Sequence, residues 1–340
     1  MNKVNIEKFR AYIDLHLHLD GSLDIPTVRE LMKINNINDN YTDAELREKL
    51  MVKDDNKDLN EYLSKFAFPQ TLLQTKETIE YAIYSLNERL KREGYIYAEI
   101  RFAPQFHLQK GLTQEEVINA VIRGNNKSNF KSNIILCLMR GSSNREENIE
   151  TVRLAYKYLN KGIKALDLAG AEALYPTSNF RDEFSLARQY HIPFTIHAGE
   201  ASGADSVKLS IEYGAKRIGH GVKSFKDLEV LKLAKENNVT YEVCPKSNLD
   251  TKAISSVLDY DLRNLLSNGI NITINTDNLS VSSTNIVKEY ELLNDEYDLT
   301  NEEFKKLLIN SANAAFLNFD EKKILINKIN EEIDRIRDWI

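Results

Sequence analysis

Four of the chain's six histidines fall in or just after short apolar runs: His16 and His18 in "YIDLHLHL", His197 in "FTIHAGE" and His220 in "RIGHG". Alternate side chains of a strand share a face, so His16 and His18 point the same way, about two rises of ~3.3 Å apart. A single buried histidine is most simply a core residue with both ring nitrogens bonded. Two on one face need a shared partner, because each unbonded buried nitrogen costs free energy, and one metal ion satisfies both. Carboxylates stand at the end of one of these runs, Glu200 in "HAGE", and at the end of a further run, Asp277 in "NTDN". The two cysteines, Cys137 and Cys244, each lie inside a strand-like run and supply neither a disulfide framework nor a cysteine-rich zinc site. Any metal is therefore held by imidazole and carboxylate. Zinc suits such donors and keeps a position open for water, whose pKa falls toward about 7; cobalt or iron could occupy the same ligands. Three histidines and one aspartate would ligate, leaving His220 and Glu200 for proton transfer.

These residues need elements to position them. Eight runs read as strands: 12–18, 97–103, 134–139, 163–169, 193–198, 216–220, 239–244 and 271–276. Helical stretches lie between them, several opening on a hydroxyl residue with an acid three positions on, the pattern that satisfies the first orphan amides. Examples are Thr42 with Glu45, Thr113 with Glu116, Ser224 with Asp227 and Thr300 with Glu303; Gly214 stands where a helix could end. Strand then helix, repeated, implies parallel pairing through right-handed crossovers. The expected class is α/β, a closed (β/α)8 TIM barrel, whose functional side chains gather at the C-terminal strand ends. An open nucleotide-binding sheet is disfavoured because no G-x-G-x-x-G follows the first strand. Residues 24–94 are too long for one crossover and read as a helical insertion placed over that face as a lid. At the other end Leu325, Ile329, Ile333, Ile336 and Ile340 form the apolar stripe of an extra C-terminal helix.

Composition narrows the remaining classes. At 340 residues with 42% hydrophobic and 28% charged, the chain can bury a sizeable core as one barrel domain spanning 1–340. A formal net charge of −6 argues against a general affinity for nucleic acid. Neither a signal-peptide core nor a bilayer-spanning apolar run is visible, so the expectation is a cytoplasmic protein without a membrane partner.

Taken in order, "DLHLHLDGSL", "DLAG", "HAGE", "RIGHG", "CPKSN" and "NTDN" resemble the adenosine deaminases, over about residues 10–320. A bare H-x-H would be weak evidence; several linked motifs in register are specific. The resemblance implies hydrolytic deamination of adenosine, and of 2′-deoxyadenosine, to inosine and ammonia by zinc-bound hydroxide attacking purine C6. By carry-over, His16, His18, His197 and Asp277 hold one zinc, Glu200 protonates N1, and His220 orients the water and takes up its proton. His18, Asp20, Gly170 and Asn278 would contact substrate: Asp20 the ribose 5′-hydroxyl, Gly170 the purine N3 and Asn278 the N7. The implied partner is a small purine nucleoside.

Two positions depart from the family pattern. Many members read "NTDD" where this chain has Asn278; its NH2 can still donate to N7, without an unusual protonated acid. Many carry Asp-Glu after "DLAG", where here Ala171 precedes Glu172. "HLDGS" rather than the "HLEGT" typical of adenine deaminases favours nucleoside over free base, adenine deamination being the competing reading. A binuclear amidohydrolase would want a bridging lysine or acid at the end of strand four, and Lys164 lies at its beginning. A non-catalytic purine-binding barrel is disfavoured because Glu200 and every ligand position are kept. Among other residues, His107 could line the pocket or support it, His191 is structural, Phe66 and Phe68 could wall the purine or form core, and Cys244 is a packed thiol.

Overall fold

The computed structural model describes residues 5–337. Eight strands follow one another in parallel register: β1 (Tyr12–His18), β2 (Tyr95–Phe102), β3 (Ser132–Met139), β4 (Ile163–Ala169), β5 (Thr195–Ala198), β6 (Arg217–His220), β7 (Thr240–Val243) and β8 (Asn271–Ile274). Continuous hydrogen bonding joins β1 to β4 and β5 to β8. Isolated parallel bridges, Leu166 with Phe194 and Leu17 with Asp277, link the two halves and close the ring into the expected barrel. Helices cover the outside, so strand residues on both faces are buried and read as near-continuous apolar runs.

The second seam carries three of the candidate residues. His18 N donates to Asp277 O and Asp277 N donates to His16 O, both at 2.8 Å. The bonds that close the barrel thus tie two histidines of β1 to the aspartate beyond β8.

Three expected capping boxes form, at Thr42, Thr113 and Thr300. The fourth does not. The chain leaving β6 makes a short turn, Val222–Ser224, in which the Ser224 hydroxyl donates to Gly221 O at 2.7 Å. Asp227 itself caps the next helix, Leu228–Glu236. Gly214 ends its helix in the left-handed conformation, φ 100°.

Five helices fill the stretch between β1 and β2: α1 (Ile25–Ile34), α2 (Asp43–Leu50), α3 (Leu59–Leu63), α4 (Ala67–Leu72) and α5 (Lys76–Arg92). The last, α5, packs on β2 and on the following helix Gln114–Lys127, the place of an ordinary crossover helix. The first four are the additional material. In the C-terminal helix Phe319–Arg337, Leu325 and Ile329 are buried and Ile333 and Ile336 pack partly buried against the core; Ile340 lies outside the described residues. Among the described residues no helix is long and apolar enough to cross a membrane.

Gly124 tests the packing of α5. A Cβ there would lie 2.2 Å from Glu80 O and 2.4 Å from Ile83 Cγ2. In an exposed helix Gly→Ala gains about 1 kcal/mol. Here the expected sign is reversed: Gly124→Ala lowers the thermal unfolding midpoint in a calorimetric scan, because backbone cannot yield to the new methyl.

Candidate active site

The strand ends converge as the topology requires. His16 Nε2 lies 3.0 Å from His197 Nε2 and 3.3 Å from Asp277 Oδ1. His18 Nε2 lies 3.3 Å from His197 Nε2 and 3.4 Å from Asp277 Oδ1. His220 joins His16, His197 and Asp277 in a buried group whose donor atoms all fall within 4.8 Å of one another. His220 and Asp277 take positive φ, 62° and 60°, an uncommon conformation for residues other than glycine that concentrates at functional sites.

What stands behind each ring separates the histidines. His16 Nδ1 is 2.8 Å from Glu242 Oε2, and His197 Nδ1 is 2.9 Å from Asp167 Oδ2. Burial pushes both carboxyls up, but Arg101 beside both, Arg217 beside Glu242 and His197 beside Asp167 outweigh it and hold them below the usual carboxylate range. An ionised carboxylate only accepts, so both Nδ1 atoms carry the proton. In the neutral rings the two Nε2 lone pairs face each other across 3.0 Å, an arrangement that a shared cation, proton or metal ion, relieves. Donors about 2.1 Å from one ion stand roughly 3.0–3.4 Å apart, for angles between 90° and tetrahedral. The four contacts among His16, His18, His197 and Asp277 span the same interval, 3.0–3.4 Å, so this set fits zinc. Ser247 Oγ donates to Asp277 Oδ2 at 2.6 Å, leaving Oδ1 to face the nitrogens. Behind His220 stands an amide instead. Its Nδ1 lies 2.8 Å from Asn248 Nδ2 and its Nε2 is 3.6 Å from Glu200 Oε2.

Beneath the histidines the barrel interior is charged. Arg101 pairs with Asp167 at 2.9 Å and with Glu242 at 3.0 Å; Arg217 pairs with Glu242 at 2.5 Å and with Glu99 at 2.6 Å. All five side chains are buried where such barrels usually stack branched apolar residues. Reading the sequence for histidines passed over them. The available signal was a charge in the middle of an otherwise apolar strand, as in "AEIRF", "ALDLA" and "TYEVC".

Above the cluster opens a cavity of about 340 Å³. Its wall includes His18, Asp20, Gly170, Glu200 and Asn278, with His16 sealed below. The turn from α3 into α4 adds Tyr62, Phe66 and Gln70. Glu200 is buried, and burial, then the Asp277 charge, pushes its carboxyl up to about 8 despite a bond from Thr251 Oγ1 at 3.0 Å. Burial likewise raises Asp20, whose Oδ2 accepts from Gln70 Nε2 at 3.2 Å. Asn278 Nδ2 donates to the Tyr62 hydroxyl at 3.0 Å, while its Oδ1 is unpartnered and packs on Gly21.

The remaining candidates separate. Phe66 lines the cavity, whereas Phe68 packs on Tyr41. His107 is buried away from it, its Nδ1 2.9 Å from Leu73 O, so it braces the end of α4. Cys244 is buried and His191 exposed. Cys137, unassigned from sequence, forms floor with Ala103 and Ala169.

The family model for adenosine deaminase matches residues 12–332. The chain belongs to the adenosine deaminase family. An adenosine deaminase of Haemophilus ducreyi is 45% identical, the match covering 95% of this chain and 97% of that one. One from Clostridium perfringens is 38% identical, covering 96% and 98%. Among solved structures, an adenine deaminase from Arthrobacter aurescens superposes with a TM-score of 0.85 at 25% identity, covering 96% of this chain and 99% of that one. An ADAL–IMP complex, at 24% identity, covers 97% and 98% with a TM-score of 0.85 and shares the fold.

In this deaminase Glu242→Gln removes the charge that both arginines and His16 address. Metal affinity should fall about 10–100-fold, the usual cost of losing a carboxylate behind a ligand histidine. Competition against a chromophoric chelator measures it, and an unchanged affinity would exclude the carboxylate from that role.

Proposed function

We propose that this chain catalyses hydrolytic deamination of adenosine and 2′-deoxyadenosine to the inosine nucleosides and ammonia, with His16, His18, His197 and Asp277 holding one zinc ion. The observation that carries the reading is a buried acid, Glu200, and a histidine, His220, facing each other at 3.6 Å beside the donor cluster, in a cavity lined partly by apolar side chains. Relatives named adenosine deaminase at up to 45% identity over nearly the whole chain support the same activity.

When bound, the metal would act as a Lewis acid that polarises water and lowers its pKa. Every other role belongs to side chains. Burial keeps Glu200 in its acid form near neutrality, so it can donate to N1 as water adds to C6 and the ring loses aromaticity. That proton meets charge that develops only in the transition state. His220 receives the proton of the attacking water. To take it at Nε2, the nitrogen that faces Glu200, His220 must already hold its other proton on Nδ1, so the Asn248 amide then presents its oxygen to that nitrogen and its NH2 to the Tyr260 hydroxyl 2.9 Å away. The proton passes to the exocyclic amine and ammonia departs; the second water proton, on the C6 oxygen, returns to the ionised Glu200 as the C6 carbonyl forms, which restores both groups.

Binding is assigned to the cavity wall. The Gly170 amide would meet N3, and the second N–H of Asn278, beyond the one held by Tyr62, would meet N7. Asp20 and His18 would take the ribose 5′-hydroxyl. The apolar floor receives the purine, and α1–α4 act as a lid over it in one barrel domain.

Adenosine, 2′-deoxyadenosine and adenine assayed side by side decide the substrate: both nucleosides should turn over faster than the base. Asp20→Ala should lower kcat/KM for adenosine about 10–100-fold, the range for a hydrogen bond to a charged group, while leaving any adenine turnover unchanged. Glu200→Gln should keep its metal and lose about 10²–10⁴-fold in kcat. Retention of rate would remove Glu200 from the acid role.

A further inference from the structure

Glu200 sits on a loop whose backbone is held in an unusual way. After β5 the chain turns at Gly199, φ 71°, and four consecutive backbone N–H groups converge on one buried carboxylate, Glu172. Glu172 Oε1 accepts from Gly199 N at 2.8 Å, and Oε2 accepts from Glu200 N, Ala201 N and Ser202 N at 3.1, 2.9 and 2.9 Å. Ser206 Oγ, in the helix that follows, donates to Oε1 at 2.6 Å. Successive amides aimed at one point form the concavity that elsewhere cradles a free anion. Here the anion is a side chain from the segment just beyond β4.

We infer that Glu172 is a positioning residue for the deamination, fixing the backbone of Glu200 and through it the place where the Glu200 carboxyl meets the substrate. This rests on the reading of Glu200 as the acid. A carboxylate is required by the donor count, since five N–H and O–H groups need the lone pairs of two acceptor oxygens. A glutamine offers one such oxygen and turns an NH2 toward amides that themselves donate. An aspartate is one methylene short. The brace extends further: Ser206 Oγ lies 2.9 Å from Thr177 Oγ1, which accepts from Arg140 Nη2 at 3.1 Å, and Arg140 Nη2 also donates to His197 O at 2.6 Å. One network thereby sets Glu200 relative to the end of β5.

A double-mutant cycle on the zinc-loaded enzyme tests this. With adenosine, Glu172→Gln should lower kcat roughly 10²-fold, the scale of a misplacement of about 1 Å, with KM and zinc content within about twofold of the parent. In the Glu200→Gln background the same change should cost nothing further, because the group it positions is already disabled. An equal fall in both backgrounds, or a rise in KM at constant kcat, would overturn the proposal. Should Glu172→Gln fail to fold, Ser206→Ala carries the same comparison, with a fall of about 5-fold expected for one lost hydrogen bond. A Glu200→Gln enzyme with parental kcat would instead defeat the reading of Glu200, a separate and recognisable outcome.

Discussion

The site depends on which nitrogen of His16 and of His197 carries its proton, and two buried carboxylates decide it. Neutral imidazole is ambivalent: either ring nitrogen can donate. Glu242 and Asp167 remove that choice, and Arg101, bonded to both, keeps the two acceptors charged and correctly turned. Taking an ion out of water costs several kcal/mol even after relaxation, so buried ion pairs of this kind are often no more stabilising than an apolar filling of equal volume. What this layer provides is two lone pairs aimed at one point, an arrangement an apolar core cannot supply. The fold therefore carries charge in its interior as the cost of its function.

Closure of the barrel and assembly of the cluster are the same event. Asp277 reaches its place only when its backbone has paired with His16 and His18 across the last seam, and it does so in a left-handed conformation that local preference disfavours. Ring closure, Ser247 and the facing nitrogens hold it there. The donors come from the first strand, the fifth and the segment beyond the eighth, so only the completed topology brings them together. Most of the apparatus rests on short strand ends, which are stiffer than the loops beyond them. Glu200 is the exception, placed on a turn, and the cage of amides around Glu172 gives that turn comparable rigidity.

Much of this was legible in the residues. Short apolar or alternating runs marked every strand to within about two residues, because strands covered on both faces must be largely apolar throughout. The histidines and Asp277 stood out because polar rings and acids at apolar strand ends need a reason. Arg101, Arg217, Glu99, Asp167 and Glu242 were harder to read: a lone charge in a strand has many explanations, and pairing across the barrel becomes visible only when register is known. Glu172 stood in a motif noted for its departure at Ala171, but its role was hidden for a different reason. Its partners are backbone amides, identical in every residue, so no side chain in "HAGEAS" announces the bond. Ser224 misled because the capping pattern describes a local preference, and the turn after β6 gave its hydroxyl a nearer acceptor in Gly221.

The electrostatics of the cavity explain why Asn278 is compatible with an acidic Glu200. Burial and then the Asp277 charge raise the Glu200 carboxyl; burial pushes Asp277 itself up too, but the His16 hydrogen bond and the neighbouring histidines outweigh it and hold Asp277 well below the usual carboxylate range. A carboxyl at 278, adjacent to that anion and buried, would have to stay protonated, since like charges at such separation cannot both ionise without cost. Its donor capacity would then vary with pH. The amide donates at every pH and adds no charge beside Asp277. Its bond to Tyr62, which is hydrogen-bonded in turn to Ser282 at 2.8 Å, ties the cavity wall to the helices above the barrel mouth.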